Sequence, residues 1–192
     1  GTVWSFTRNA IARVPIVNGS FEDGPASNGT PTGWSLITGN GIGVGAGGSN
    51  GNQMLWMGPR VKIGQDLSYV LTKGETLTLQ YDSARGTNYD RSIQLLAKSG
   101  NSYELLAETT EQVAGWETVT LTHTVDAAHA GQQLAIRIIG DYDGPIDFDW
   151  NEFDNFRITT VMPGYTSWIA AYPTGGLSAL EDDADFDSIS NG

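Results

Sequence analysis

Thr76-Leu77-Thr78-Leu79-Gln80-Tyr81-Asp82 alternates without a break. Leu77, Leu79 and Tyr81 fall on one face and Thr78, Gln80 and Asp82 on the other, the period of a strand that buries one side and wets the other. The same alternation recurs outward along the chain. Leu134, Ile136 and Ile138 oppose Gln133, Ala135 and Arg137, and Val119 and Leu121 oppose Thr118, Thr120 and Thr122. Strand-like runs are read at Val14–Val17, Gln53–Met57, Thr76–Asp82, Ser92–Lys98, Tyr103–Ala107, Glu117–Val125, Gln133–Ile139 and Phe153–Thr159. Turn chemistry such as Asn-Gly, Lys-Gly-Glu and Ser-Gly-Asn separates them. This spacing predicts an all-β domain, a two-sheet antiparallel β-sandwich or jelly roll.

Two stretches stand apart. Gly39–Asn52 is so rich in glycine that it reads as a long surface loop. At the other end, Met162-Pro163-Gly164 interrupts the strand pattern. The sandwich is therefore assigned to residues 1–160 and a tail, with a short helix over Tyr165–Tyr172, to residues 161–192.

The composition excludes several classes. With 22 acidic against 10 basic residues the net charge is −12, which repels phosphate backbones and argues against nucleic acid as a partner. The chain has no cysteine, so disulfide scaffolds, thiolate metal sites and cysteine nucleophiles are all excluded. It has two histidines, His123 and His129, too few for a multi-histidine zinc site. No apolar run reaches the ~20 residues of a membrane helix.

The two ends of the sandwich carry a recognisable pair of motifs: Ile16-Val17-Asn18-Gly19-Ser20-Phe21-Glu22 followed by Gly33-Trp34, and Phe153-Asp154-Asn155-Phe156-Arg157-Ile158. With Ala130–Ile138, they resemble carbohydrate-binding modules of the family 4, 9 and 22 type, and the galactose-binding-like, DUF642-like sandwiches, over about Val14 to Thr160. The resemblance implies a structural calcium ion between the first and last strands. Glu22 and Asp154 would supply carboxylates, and backbone carbonyls of the stretches around Asn18, Ser20 and Asn52 would complete the shell. Asp154 also has the parity of Phe156 and Ile158, so it is expected to point inward, where a carboxylate needs a cation or several donors. Hard oxygen ligands of this kind suit calcium.

A second motif, Asp183, Asp185, Asp187 and Asn191 around Ile189, resembles a truncated thrombospondin type 3 or dockerin-like calcium repeat. It lacks the usual glycine at its sixth position, where Ser188 stands, and the acid at its twelfth. It reads as part of a longer, multidomain, exported or cell-surface protein.

For a ligand face, Trp56 is expected to point outward with Met54 if Leu55 and Met57 point inward. Tyr89, Tyr142 and Trp150 lie in loops. Aromatic faces stack on sugar rings and planar polar groups fork onto hydroxyls, so Gln80, Gln94 and Arg137 on solvent-side positions complete the expected carbohydrate site. The acidic run Asp141, Asp143, Asp147, Asp149 and Glu152 is a further candidate for a cation or a carboxylate pair.

The leading expectation is non-catalytic binding of a polysaccharide or oligosaccharide by a module that is not an enzyme. Two rivals are kept: a Stig-cyclase-like enzyme, since those cyclases share this sandwich and use acidic and aromatic pocket residues, and a structural surface domain with no small ligand.

Overall fold

The structure, a computed structural model, describes residues 11–84, 91–111, 113, 115–140 and 150–162. These form twelve strands: β1 Ile11–Val14, β2 Ser27–Asn28, β3 Ser35–Thr38, β4 Ile42–Ala46, β5 Gln53–Met57, β6 Lys62–Val70, β7 Thr76–Ala84, β8 Arg91–Ser99, β9 Ser102–Thr109, β10 Glu117–Thr124, β11 Gln133–Gly140 and β12 Asn151–Val161. One sheet runs β10-β7-β12-β5-β4-β2, with β1 also paired to β12; the other runs β3-β6-β11-β8-β9. Every pairing is antiparallel. The expected two-sheet sandwich is what the chain forms. No helix among the described residues is long and apolar enough to cross a membrane.

The alternation read from the sequence sets the core. Leu77, Leu79 and Tyr81 from β7, Leu134, Ile136 and Ile138 from β11, and Val119 and Leu121 from β10 all lie in one buried cluster between the sheets. Each such side chain contributes about 1.5–3 kcal/mol by leaving water. The terminal motifs close one end of this core. Phe21, Trp34 and Phe156 pack together with ring centroids 5.6–6.1 Å apart, and Tyr81 stacks on Phe156 at 5.1 Å. Gly19 is needed there, since a Cβ would come within 2.4 Å of the Phe156 carbonyl. The Phe156 amide donates to the Gly19 carbonyl, and the Trp34 indole donates to that of Asn18.

Four differences from the sequence reading have physical causes. The first strand is Ile11–Val14, paired with the end of β12, and not Val14–Val17; the chain turns at Asn18, which sits at φ 50°. The glycine-rich stretch is not all loop, because Ile42–Ala46 is a strand with Ile42 and Val44 buried. Strand β6 was hidden by Gly64, Gln65 and Asp66, which break its apolar pattern. Its Gln65 is nevertheless buried, bonding the backbone of Val17 and Gly33 and pinning the N-terminal turn to the sheet. Finally, β12 is bulged between Asp154 and Arg157, with Asn155 at φ 55°. Phe153 and Phe156 both enter the core across this bulge, so Asp154 does not share the inward face of Phe156.

Tyr89, Tyr142, the acidic run over 141–149, the tail from 163 onward and its Asp183, Asp185, Asp187 and Asn191 lie outside the described residues.

Candidate functional site

The outer face of the larger sheet carries a cavity of about 350 Å³ lined by Met54, Trp56, Trp150 and Glu152. The strands explain its walls. Leu55 and Met57 are fully buried, so Met54 and Trp56 project to the opposite side, as their parity predicts. Glu152 stands directly across from Trp56 on one neighbour and from Ala84 on the other. The glycines of β4 make room for the indole. A Cβ on Gly43 would lie 2.4 Å from Trp56 Cζ2, and one on Gly45 would lie 3.1 Å from Cδ1. Trp150 is seated likewise, 3.4 Å from a Cβ on Gly41 and 3.0 Å from one on Gly58. Residues 41, 43 and 45 alternate with the buried Ile42 and Val44. The glycines are therefore the outward half of a strand on which two tryptophans rest. The two rings meet edge to face at 4.7 Å. An aromatic, apolar cavity with one carboxylate in its wall can hold a flat hydrophobic molecule and exchange a proton with it.

Beyond Glu152 the same face becomes polar. Burial pushes the Asp82 carboxyl up, but hydrogen bonds from Thr118, Asn155 and Ser49 and the charge of Arg157 outweigh it and hold the group below its ordinary range. Gln80 is engaged by Arg157 and Thr120. It belongs to this sheet, whereas Gln94 on β8 and Arg137 on β11 belong to the other. The expected carbohydrate site is therefore divided. Trp56 and Trp150 come together on one side of the sandwich. On the other side lies a groove with cavities of about 480 Å³, lined by residues including Gly64, Asp66, Tyr103 and Arg137, and about 410 Å³, lined by residues including Lys62, Gln94 and Glu108. Tyr103 reaches Asp66 through its hydroxyl, and the Arg137 guanidinium lies 4.0 Å from its ring centroid. Tyr103 was not singled out from the sequence, because its run lacks a clean alternation around the β-bulge between Leu95 and Leu96 in its pairing.

The two expected calcium carboxylates both bond to the loop over residues 49–53. Glu22 Oε1 accepts the amides of Asn52 and Gln53, both at 2.7 Å. Asp154 Oδ2 accepts the Asn50 amide at 2.7 Å and the Ser49 hydroxyl at 3.3 Å, while Oδ1 accepts the Asn155 amide. Asp154 is buried although it sits on the outer side of β12, because this loop covers it. Desolvation raises its pKa against those hydrogen bonds, which leaves a carboxyl that a nearby cation would stabilise as the anion. The side chain of Asn18 is already used, accepting from the Asp23 amide and donating to the Thr32 carbonyl, and its own carbonyl accepts from the Trp34 indole and the Phe21 amide, so Asn18 is engaged in holding the turn. No three acidic or imidazole side chains cluster as a metal site among the described residues. An ion here would rest on Glu22, Asp154 and carbonyls such as those of Ser20 and Asn52, a donor set of hard oxygens that fits calcium.

The family profile for HpiC1 cyclase matches residues 12–159, most of the chain. The chain belongs to the HpiC1-like cyclase family. Solved structures agree on the fold. The Stig cyclase Fisc from Fischerella sp. TAU, in complex with (3Z)-3-(1-methyl-2-pyrrolidinylidene)-3H-indole, superposes with a TM-score of 0.65 at 23% identity, over 79% of this chain and 98% of that one. A cyclase from Fischerella sp. TAU in complex with 4-(1H-Indol-3-yl)butan-2-one superposes at TM-score 0.65 and 23% identity, over 78% of this chain and 97% of that one. The CBM22-1 xylan-binding domain of Paenibacillus barcinonensis Xyn10C superposes at 0.55 with 20% identity, over 81% of this chain and 97% of that one. No curated protein sequence matches the chain. The expectation of a module that is not an enzyme is thereby overturned. The carbohydrate-binding modules share the sandwich, but the family matched over its length is one of cyclases. The terminal motifs do not separate the two kinds of protein, because in this chain they build the closed end of the core and not the Trp56–Trp150 cavity.

Proposed function

We propose that this protein is a cyclase-type enzyme acting on a flat, indole-like substrate in the Trp56–Trp150 cavity, with Glu152 as the proton-transferring group. The observation that carries the reading is the placement of Glu152 beside two tryptophans and Met54 in a cavity on the outer sheet face. A ring closure started by acid needs a proton delivered to the substrate and one removed from the product. A single carboxyl group does both and ends as it began. The cation formed between these steps lies against the electron-rich faces of Trp56 and Trp150, which favour positive charge. Indoles are the ligands bound in the Fischerella cyclase structures, and a flat aromatic molecule of that kind suits a cavity walled by two tryptophans. Calcium, when bound at Glu22 and Asp154, would neutralise the buried carboxylate and tie the loop over residues 48–53 to β12; it takes no part in proton transfer. The test is binding of 4-(1H-indol-3-yl)butan-2-one, read by quenching of tryptophan fluorescence, followed by turnover of an indole isonitrile precursor. Absence of both, in a folded protein, would overturn the reading.

A second reading concerns the opposite face and adds to the first. The groove along β6, β11 and β8, with the Tyr103 ring, Arg137 and Gln94, supports saccharide binding there. The likeness to a xylan-binding domain favours it. Retardation of the protein in polysaccharide-containing native gels tests it.

A further inference from the structure

We infer that the groove on the smaller sheet takes an acidic polysaccharide, one carrying carboxylates along its chain, and not a neutral one. This rests on the second reading above, that the groove binds saccharide. The chain as a whole carries net charge −12, yet Arg60, Lys62 and Arg137 line the two cavities of this one face, with Lys98 at its rim. Two carboxylates share the face, and both are engaged. Asp66 pairs with Lys98 at 2.6 Å and accepts from the Tyr103 hydroxyl. Glu108 accepts from Gln94 at 2.8 Å, and the hydrogen bonds from Gln94 and Ser92 hold its carboxyl below the usual range.

Lys62 and Arg137 are different. Neither has a hydrogen-bonding or ion-pair partner among the described residues; Arg137 only stacks on Tyr103. They sit on adjoining strands. Arg137 pairs with Gly64 and Ile139 with Lys62, so the two cations are diagonal neighbours with backbones about 7–8 Å apart. Gly64 stands directly across from Arg137 and leaves room for its stem, since a Cβ there would lie 3.2 Å from Arg137 Cγ and 2.8 Å from the Ile136 carbonyl. Arg137 lines the larger of the two cavities and Lys62 the smaller. A sugar acid bound along this face would set its carboxylate against the Arg137 guanidinium, whose planar fork suits it, and a second acid group of the chain would reach Lys62.

Native affinity electrophoresis distinguishes the possibilities, with polygalacturonate, neutral xylan and dextran sulfate in separate gels. The expected result is strong retardation by polygalacturonate, at least tenfold weaker retardation by neutral xylan and by dextran sulfate, and loss of the effect in a Lys62→Gln/Arg137→Gln variant with an unchanged melting temperature. Equal retardation by neutral xylan would overturn the acidic preference while leaving the saccharide reading intact. Equal retardation by dextran sulfate would reduce the face to a general anion surface and overturn the inference. Retardation by none of the three would remove the saccharide reading itself.

Discussion

Trp150 lies edge to face against Trp56, with ring centroids 4.7 Å apart and planes at 78°. Neither ring joins the sandwich core. Each rests on glycines instead, Trp56 on Gly43 and Gly45 and Trp150 on Gly41 and Gly58. This places two large, electron-rich surfaces beside one carboxylate on the outer sheet face, and it is the basis for the reaction centre proposed for this cyclase-family protein.

Glu152→Gln keeps the shape of the side chain and removes its proton. Indole binding should stay within about threefold of wild type, while kcat falls by about 10²–10⁴-fold, the usual share of a general acid–base group. Steady-state kinetics on the turned-over indole substrate check this. A kcat within threefold of wild type would place the proton transfer elsewhere.

Gly43→Ala should be costly for a residue on a strand surface. The new methyl meets Trp56 Cζ2 at 2.4 Å and the Ser27 carbonyl at 2.6 Å, and the second of these is backbone. Crowding of this kind costs about 1–3 kcal/mol and displaces the indole. Gly115→Ala is the control, since nothing lies within 4 Å of its Cβ position and its φ is not positive. Chemical denaturation should separate the two, and indole affinity should fall in the first variant alone. Equal stability of both would mean that β4 yields without strain.

Removal of calcium should lower the melting temperature. An ion present at a hundredfold excess over its dissociation constant stabilises the native state by about 2.7 kcal/mol. For a domain of this size that is a shift of roughly 5–10 °C. Scanning calorimetry in excess chelator, and again after calcium is restored, reads it directly. Superimposable curves would remove the ion from Glu22 and Asp154.

Acid should weaken the fold through His123. Burial, and then the neighbouring charge of His129, lower its pKa in the native state, and its Nε2 has no partner. A base with a lowered native pKa favours folding when neutral. Its contribution is therefore complete above the unfolded pKa, about 6.5, and is lost as pH falls through the lower native value. His123→Leu should flatten the decline in stability below pH 6.5. An unchanged slope would assign the acid sensitivity to other groups.

Much of this was legible in the chain itself. The outward position of Trp56 follows from Leu55 and Met57, because period two is a local property, and the motifs around Asn18, Phe21, Trp34 and Phe156 were recognisable by their resemblance to a known sandwich family. The β4 strand was not legible. Its glycines read as flexibility until Trp56 and Trp150, distant in sequence, are laid on them. Nor was the true face of Asp154, since a single bulged residue, Asn155, reverses the parity of everything before it.

The sequence by itself determined the class of the fold, the core-facing residues of its regular strands and the sign of its overall charge, since these depend on composition and on neighbours one or two positions apart. Only the tertiary structure decided which outward residues share a surface. Gln80 and Gln94 have the same strand parity and seemed equivalent, yet β7 and β8 are consecutive strands in different sheets, so they face opposite sides of the sandwich. Lateral strand order is set by long-range pairing and not by the pattern within any strand. For that reason the Trp56–Glu152 cavity and the Arg137–Lys62 groove emerge as two sites where the linear pattern had implied one.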